Sequence, residues 1–323
     1  MEPADRCRAA LQDGEPHSVV RSEMKTHTTR DEVLQNLPDD KRQIVEKIVA
    51  AVSGLAGVQA VVLAGSYARG TARPDSDVDL GIYYREQAPF SVGKLRQVVE
   101  HFDVNGSPTV TDFYEWGPWV NGGAWIAIEN GRIDLLYRNI DHIKRVIAEA
   151  QQGRVEWDYW QQPTYGFHNV IYLAETETCL PIYDPQGMLV PLKEAVATYP
   201  QKLKEAIVNE SLWGAQFTLS HAKGFAKRGD VYNTVGCVAR ILCHLTQGLF
   251  ALNEVYFISD KNAIEAIESF NIRPANYGEA ASRLLGEAGA TSEELVTTVE
   301  QLASLVDEVV GLAQNLYRRK YSW

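Results

Sequence analysis

Asp77-Val78-Asp79-Leu80 sets two carboxylates one residue apart among apolar neighbours. Side chains alternate along a strand, so Asp77 and Asp79 point to one side and Val78 and Leu80 to the other. Such a pair repels unless a cation lies between them, and hard divalent cations, Mg²⁺ above all, take oxygen ligands of this kind. Gly65-Ser66 stands ten residues before the pair, directly after the apolar run Val61-Val62-Leu63-Ala64. That run reads as a short buried strand. The glycine lets the backbone turn tightly and approach a ligand. A short helix starting at Ser66 would present free N–H groups and a positive dipole end, which suit phosphate. Ser66 adds a hydroxyl and Arg69 a cation.

A third acid is available on a later strand. Asp134, in Arg132-Ile133-Asp134-Leu135-Leu136-Tyr137, follows a hairpin turn read at Asn130-Gly131. Asp112, in Thr109-Val110-Thr111-Asp112-Phe113, also alternates and competes for the role. A lone Asp-x-Asp is usually a solvated turn running into an edge strand. An apolar strand, a Gly-Ser turn, Asp-x-Asp and a later acid, in that order, are more specific.

This order resembles the DNA polymerase β-like nucleotidyltransferase superfamily over residues 61–138. The resemblance implies two Mg²⁺ ions, both bridged by Asp77 and Asp79, with Asp134 on the ion that activates the nucleophile. It implies that Gly65 and Ser66 hold the β- and γ-phosphates of ATP or another NTP. The segment Cys179-Leu180-Pro181-Ile182-Tyr183-Asp184-Pro185-Gln186-Gly187 is similar to the one after the core in kanamycin-type aminoglycoside nucleotidyltransferases, where a loop leads into a helical domain. There a Glu of that domain helps deprotonate the acceptor hydroxyl. Laying the helix Ile207-Val208-Asn209-Glu210-Ser211-Leu212-Trp213 on theirs puts Trp213 at the base position. Glu210, one turn earlier on the same face, is the candidate substitute, and Asp134 acting alone is the alternative.

The implied reaction moves a nucleoside monophosphate, AMP from ATP in the leading case, to a hydroxyl of a small molecule and releases pyrophosphate. Antibiotic modification is the familiar instance. A protein side chain as acceptor is the first alternative. A degenerate nucleotide-binding scaffold is the second, and the intact set of acids speaks against it. Kanamycin-type enzymes dimerise with shared sites, so a homodimer is an expected partner, although no stretch here forces one.

The elements that must position these residues read as an α+β fold. A nucleotidyltransferase core, a mixed sheet flanked by helices, spans 26–145, and an antiparallel helical bundle covering substrate and nucleotide spans 146–323. Residues 1–25 read as a poorly ordered extension, with Met24 a candidate start. The core reads as a helix over 31–54 divided by Pro38, strands at 58–64, 78–84 and 109–114, a helix over 91–102, and a hairpin of 124–129 with 132–138. Asp141 caps a helix to about 151. Helices follow at 194–226, 231–252, 260–270, 277–286 and 292–320, with apolar residues at helical spacing. Trp116 and Trp119 sit in a Trp- and Gly-rich loop and read as structural plugs ahead of stacking platforms. His168 carries no assignment. Lys223, Lys227, Arg228 and Tyr232 cluster where a covering domain could lend phosphates a cation, or where they could simply be solvated.

The net charge is −11, and Arg318-Arg319-Lys320 is the only tight basic cluster. A protein tracking a long nucleic acid needs clustered cations, so such a substrate is not expected. No apolar run is read as approaching the ~20 residues of a spanning helix. Met1 to Gly14 shows no signal-peptide core. Cys7, Cys179, Cys237 and Cys243 have no zinc spacing, and a nucleotide-using enzyme with free thiols is expected in the cytoplasm.

Overall fold

The computed structural model describes residues 29–319. The extension read over 1–25, Met24, Cys7 and Lys320 lie outside the described residues.

Thr29 caps α1 (Arg30–Leu34) in a reciprocal box with Glu32. Pro38 stands at the N-cap of α2 (Asp39–Ser53). It divides the first helical stretch because proline has no N–H for a helix interior. β1 (Val58–Leu63) leads through Gly65 into the short α3 (Gly65–Arg69), and β2 (Val78–Tyr84) follows. α4 (Val92–Glu100), β3 (Thr109–Val110), β4 (Gly123–Ile128) and β5 (Gly131–Asn139) complete the first part. Then come α5 (Ile140–Ala150), the small antiparallel pair β6 (Trp157–Asp158) and β7 (Phe167–His168), α6 (Ile171–Thr178) and β8 (Leu180–Tyr183). The helical part is α7 (Leu189–Val196), α8 (Gln201–Lys227), α9 (Val231–Leu252), α10 (Ala263–Glu268), α11 (Tyr277–Gly286) and α12 (Ser292–Leu312).

Six strands form one mixed sheet in the order β3-β4-β5-β2-β1-β8. The fold class is the one expected, and several boundaries move for local reasons. The third strand stops at Val110 because the Thr111 hydroxyl takes the Gly123 N–H at 2.9 Å, in place of a ladder carbonyl. Ile128 pairs with Gly131, so the hairpin loop is Glu129-Asn130 and Gly131, at φ +123°, opens β5. Asn139, not Asp141, caps α5, accepting from the Asp141 and His142 N–H groups at 3.0 and 3.2 Å. The Cys179–Gly187 segment, read as a loop, contributes β8, an edge strand antiparallel to β1. Pro181 hides that strand in the sequence, yet an edge position tolerates a residue that cannot donate. The helical stretch read over 194–226, with Pro200 as a point of punctuation, becomes α7 and α8, with Pro200 as the N-cap of α8.

The two faces of the sheet bury separate cores. Val61, Leu63, Leu80, Ile82 and Ile133 pack with Leu34, Ile48, Val52 and Leu95 of α1, α2 and α4. Ala60, Val62 and Tyr83 face the other way, into the core of the helical part. Against the expectation that no apolar run approaches spanning length, α9 has the length and composition to cross a membrane. Most of its apolar stretch is buried, and it packs along α8 and against α10, α11 and α12, as a core helix does.

Asn139 also donates to the Tyr114 hydroxyl at 2.8 Å and is 3% exposed. Asn139→Ala removes a cap and a buried bond together. It is expected to destabilise the protein by about 1–2 kcal/mol, read as a lower urea midpoint at unchanged m-value.

Candidate active site

β2 and β5 run parallel, and their register sets Asp79 opposite Asp134. Alternation then aligns Asp77, Asp79 and Gly81 with Asp134, Leu136 and Arg138 on one face. This is the face turned toward the helical part, the one that carries Tyr83. Asp134 is 8% exposed, while Asp77, in the loop before β2, has a side chain 37% exposed.

The Gly-Ser turn lies against Asp79. Gly65 adopts φ +61°, and a Cβ there would sit 1.8 Å from Oδ2 of Asp79. The Ala64 N–H donates to the Asp79 carbonyl at 2.8 Å. Below the turn, Tyr67 of α3 is buried and accepts from Nζ of Lys41 at 3.1 Å. Lys41, buried on α2, also donates to the Ser76 carbonyl at 2.6 Å. One lysine therefore ties the turn to the loop that delivers Asp77.

Charge on this face is dense and mixed. Burial, then the Asp134, Glu175 and Asp77 carboxylates, push the Asp79 carboxyl up to about 6, against the pull of Arg69. Burial raises Asp134 as well, opposed by Arg132. Burial lowers the Arg69 guanidinium, opposed by Asp79 and Glu175. Arg132 donates to both oxygens of Asp134, at 2.6 and 3.1 Å, and to Asp77 at 2.8 Å. Burial works to lower Arg138, but its fork onto Glu175 of α6, two bonds of 2.7 Å, outweighs this and raises it.

A cavity of about 730 Å³ opens over these residues. Asp77, Asp79, Asp134, Leu136 and Arg138 form its floor, and Gly65, Ser66 and Arg69 one wall. Trp116 and Trp119 form another. Trp116 stacks on Trp125 at 4.6 Å, and Trp119 on Phe167 at 5.8 Å. Gln161 accepts from the Trp119 N–H at 3.0 Å and donates to the Trp116 carbonyl, and the Tyr172 hydroxyl donates to the Trp119 carbonyl. Both indoles are thus braced like plugs, yet each presents a surface to the cavity.

The fold brings together Gly65, Ser66, Arg69, Asp77, Asp79 and Asp134 and leaves out Asp112. Glu210 is also outside: it lies on an exposed face of α8 and does not line the cavity. Trp213, one turn on, stacks on Phe217 at 5.1 Å, and the two are 40% and 43% exposed. Overlaying helices by sequence selected a solvent-facing turn because the cavity wall comes from elsewhere. Lys223, Lys227, Arg228 and Tyr232 do not line it either; Ile258, Ser259, Lys261 and Asn262 do. His168 stacks on Trp157 at 5.4 Å, and burial pushes its imidazole down to about 4.

Sequence reasoning missed Arg138, Glu175 and Lys261. Arg138 was findable, since it lies two alternations beyond Asp134 on the same strand. Glu175 and Lys261 carry no local signal, because their place depends on how α6 and the loop after α9 cross the sheet.

Among the described residues, no group of three or more His, Cys, Asp or Glu side chains converges tightly enough to hold a metal ion. Arg132 lies between Asp77 and Asp134 instead. The donor set itself, three neighbouring carboxylates of which burial, with mutual repulsion behind it, raises two, fits a hard divalent cation.

Residues 45–152 match the nucleotidyltransferase domain family. Residues 171–261 match a family described as a domain of unknown function (DUF4037). The crystal structure of a nucleotidyltransferase-like protein from Exiguobacterium sibiricum 255-15 is similar at 12% identity, covering 87% of this chain and 81% of that one, with a TM-score of 0.43. No curated protein matches the chain. The chain carries a nucleotidyltransferase domain and is an enzyme of that class. The matched domain contains Gly65, Ser66, Arg69 and the three aspartates, whereas Glu175 and Lys261 fall within the second match.

Two outcomes follow from the packing of Asp79. Gly65→Ala places a methyl on its carboxylate at a positive φ, so stability falls by more than about 1 kcal/mol and transfer activity collapses with it. The raised pKa gives a pH signature in protein free of divalent cations. The folded state keeps the Asp79 proton longer than the unfolded one, so stability is lost as pH rises from the ordinary carboxylate range through about 6. Asp79→Asn is therefore expected to stabilise the metal-free protein by about 1–3 kcal/mol at pH 7.5, the gain fading toward pH 4, in urea unfolding across pH.

Proposed function

We propose that this enzyme transfers a nucleoside monophosphate, AMP from ATP in the leading case, to a hydroxyl of a small molecule and releases pyrophosphate. One observation carries the reading: Asp79 and Asp134 are register partners on a covered sheet face, with Asp77 beside them and the Gly65-Ser66 turn against them, around one cavity. Asp77, Asp79 and Asp134 would hold the divalent cations, two Mg²⁺ ions by resemblance. Such cations, when bound, draw charge from the phosphates and make the attacking hydroxyl more acidic. A cytoplasmic setting supplies both ATP and Mg²⁺.

The chain's own residues have separable tasks in this reading. The Gly65-Ser66 turn offers N–H groups and a hydroxyl to the β- and γ-phosphates. Arg69, whose burial outweighs the pull of two carboxylates, faces the same charge, and Lys261 adds a cation from the helical part. Glu175 takes the place first given to Glu210. Among the described residues it is the one carboxylate lining the cavity that the helical side supplies, and Arg138 fixes both its oxygens, leaving outer lone pairs to receive the acceptor's proton. Trp116 and Trp119 exclude water and offer flat surfaces to a ring.

The charges lining the cavity bear on the acceptor. Asp77 and Asp134 are bonded to Arg132, Glu175 to Arg138, and Asp79 feels Arg69. A polycationic aminoglycoside finds few unengaged carboxylates here, which favours a neutral or anionic hydroxyl compound.

Label transfer from α-labelled ATP, GTP, CTP and UTP with Mg²⁺, offered a small-molecule panel and cell extract, tests the reading. Asp79→Ala is expected to abolish transfer while leaving the protein folded; equal transfer by the variant would remove the carboxylate assignment. Glu175→Gln keeps one of the two Arg138 bonds and is expected to lower kcat by about 10²-fold or more with little change in KM. Unchanged kcat would free Glu175 of the proton-accepting role.

A further inference from the structure

Arg132 occupies the position a cation would take. Its guanidinium donates to both oxygens of Asp134 and to one oxygen of Asp77, at distances of 2.6 to 3.1 Å. These are the oxygens that a divalent ion would need, and an oxygen that accepts a charge-assisted N–H bond has that lone pair engaged. Arg132 and a metal ion are therefore alternatives at Asp77 and Asp134. The arrangement also helps keep the three acids side by side: one guanidinium bridges Asp134 and Asp77 while Asp79 packs under Gly65.

The position of Arg132 equips it to leave. It lies two residues before Asp134 on β5, one residue after the hairpin glycine Gly131. Its side chain is 48% exposed, against 11% for that of Asp134. It also lines the same cavity as the Gly65-Ser66 turn. A guanidinium released there finds the phosphates of an incoming nucleotide, with which it forms paired bonds as readily as with carboxylate.

Building on the metal reading above, we propose that Arg132 is an internal counter-cation that makes metal binding conditional on nucleotide. Without nucleotide, a metal ion must displace Arg132 and leave it without an anion. With nucleotide, the triphosphate supplies the replacement anion, so metal and nucleotide bind cooperatively. By linkage the coupling is reciprocal: whatever factor nucleotide adds to metal affinity, metal adds to nucleotide affinity. Arg132 is a positioning residue in this scheme and need not touch the reacting atoms.

The test is Mn²⁺ binding, followed by electron paramagnetic resonance or calorimetry, on the wild-type chain, Arg132→Gln and Arg132→Lys. Each is measured with Mn²⁺ alone and with the α,β-methylene analogue of ATP present. Arg132→Gln is expected to bind Mn²⁺ alone at least tenfold more tightly than wild type, and Arg132→Lys to fall between them. The analogue should tighten Mn²⁺ binding by wild type far more than by Arg132→Gln. Metal-free Arg132→Gln should melt lower than wild type and gain more on adding Mn²⁺. If Arg132→Gln and Arg132→Lys bind Mn²⁺ alone no better than wild type, the proposal is overturned while the carboxylate site stands. If none of the three binds Mn²⁺ with or without the analogue, the proposal and the metal reading fall together.

Discussion

Three carboxylates share one partly buried face at the β2–β5 seam, and that face is unstable without positive charge. The parallel register that pairs Asp79 with Asp134 creates the crowding. The rest of the site can be read as a response to it. Arg132 spans two of the acids, Arg69 opposes the third, and Arg138 holds Glu175 a short way along the same strand. A sheet designed only for stability would place apolar residues here, as the opposite face does with Leu80, Ile82 and Ile133. Polar crowding of this kind is tolerated where a ligand's charge completes it.

The two matched segments divide the labour around that seam. The nucleotidyltransferase domain supplies the acids and the glycine turn. The segment matching the domain of unknown function supplies Glu175, Tyr172 and Lys261, and within it β8 joins the sheet beside β1. The helical part is thus tied to the core through the sheet itself, in addition to packing over it. Its long helices α8 and α9 do not line the cavity, which is walled by the shorter α6 and the loop after α9. That side of the cavity consequently rests on short segments held in place by a large core, which is the usual way a rigid scaffold presents variable chemistry.

How much was legible in the sequence depended on whether the signal was local. Strand β2, the Gly65 turn and the division at Pro38 were readable because alternation, a glycine and a proline act on their immediate neighbours. The Asp79–Asp134 pairing was reached through resemblance, and only register places the two side by side. β8 was hidden by Pro181, whose edge position excuses it. The Asn139 cap was misread as Asp141 because both residues favour that role and only backbone geometry chooses between them. Glu210 was chosen by laying one helix on another in sequence, and the fold turns that face to solvent. Arg132 was quoted beside Asp134 without a role, since a guanidinium two residues from a carboxylate is ordinary until both are seen to reach Asp77.

The most direct measurement is a crystal structure with Mn²⁺ and a non-hydrolysable NTP, with anomalous data collected at the manganese edge. Anomalous peaks bounded by Asp77, Asp79 and Asp134, with the triphosphate along the Gly65-Ser66 turn, are the expected result. Manganese bound away from these acids, or a nucleotide lodged outside the cavity, would contradict the assignment of this seam as the place where nucleotidyl transfer occurs.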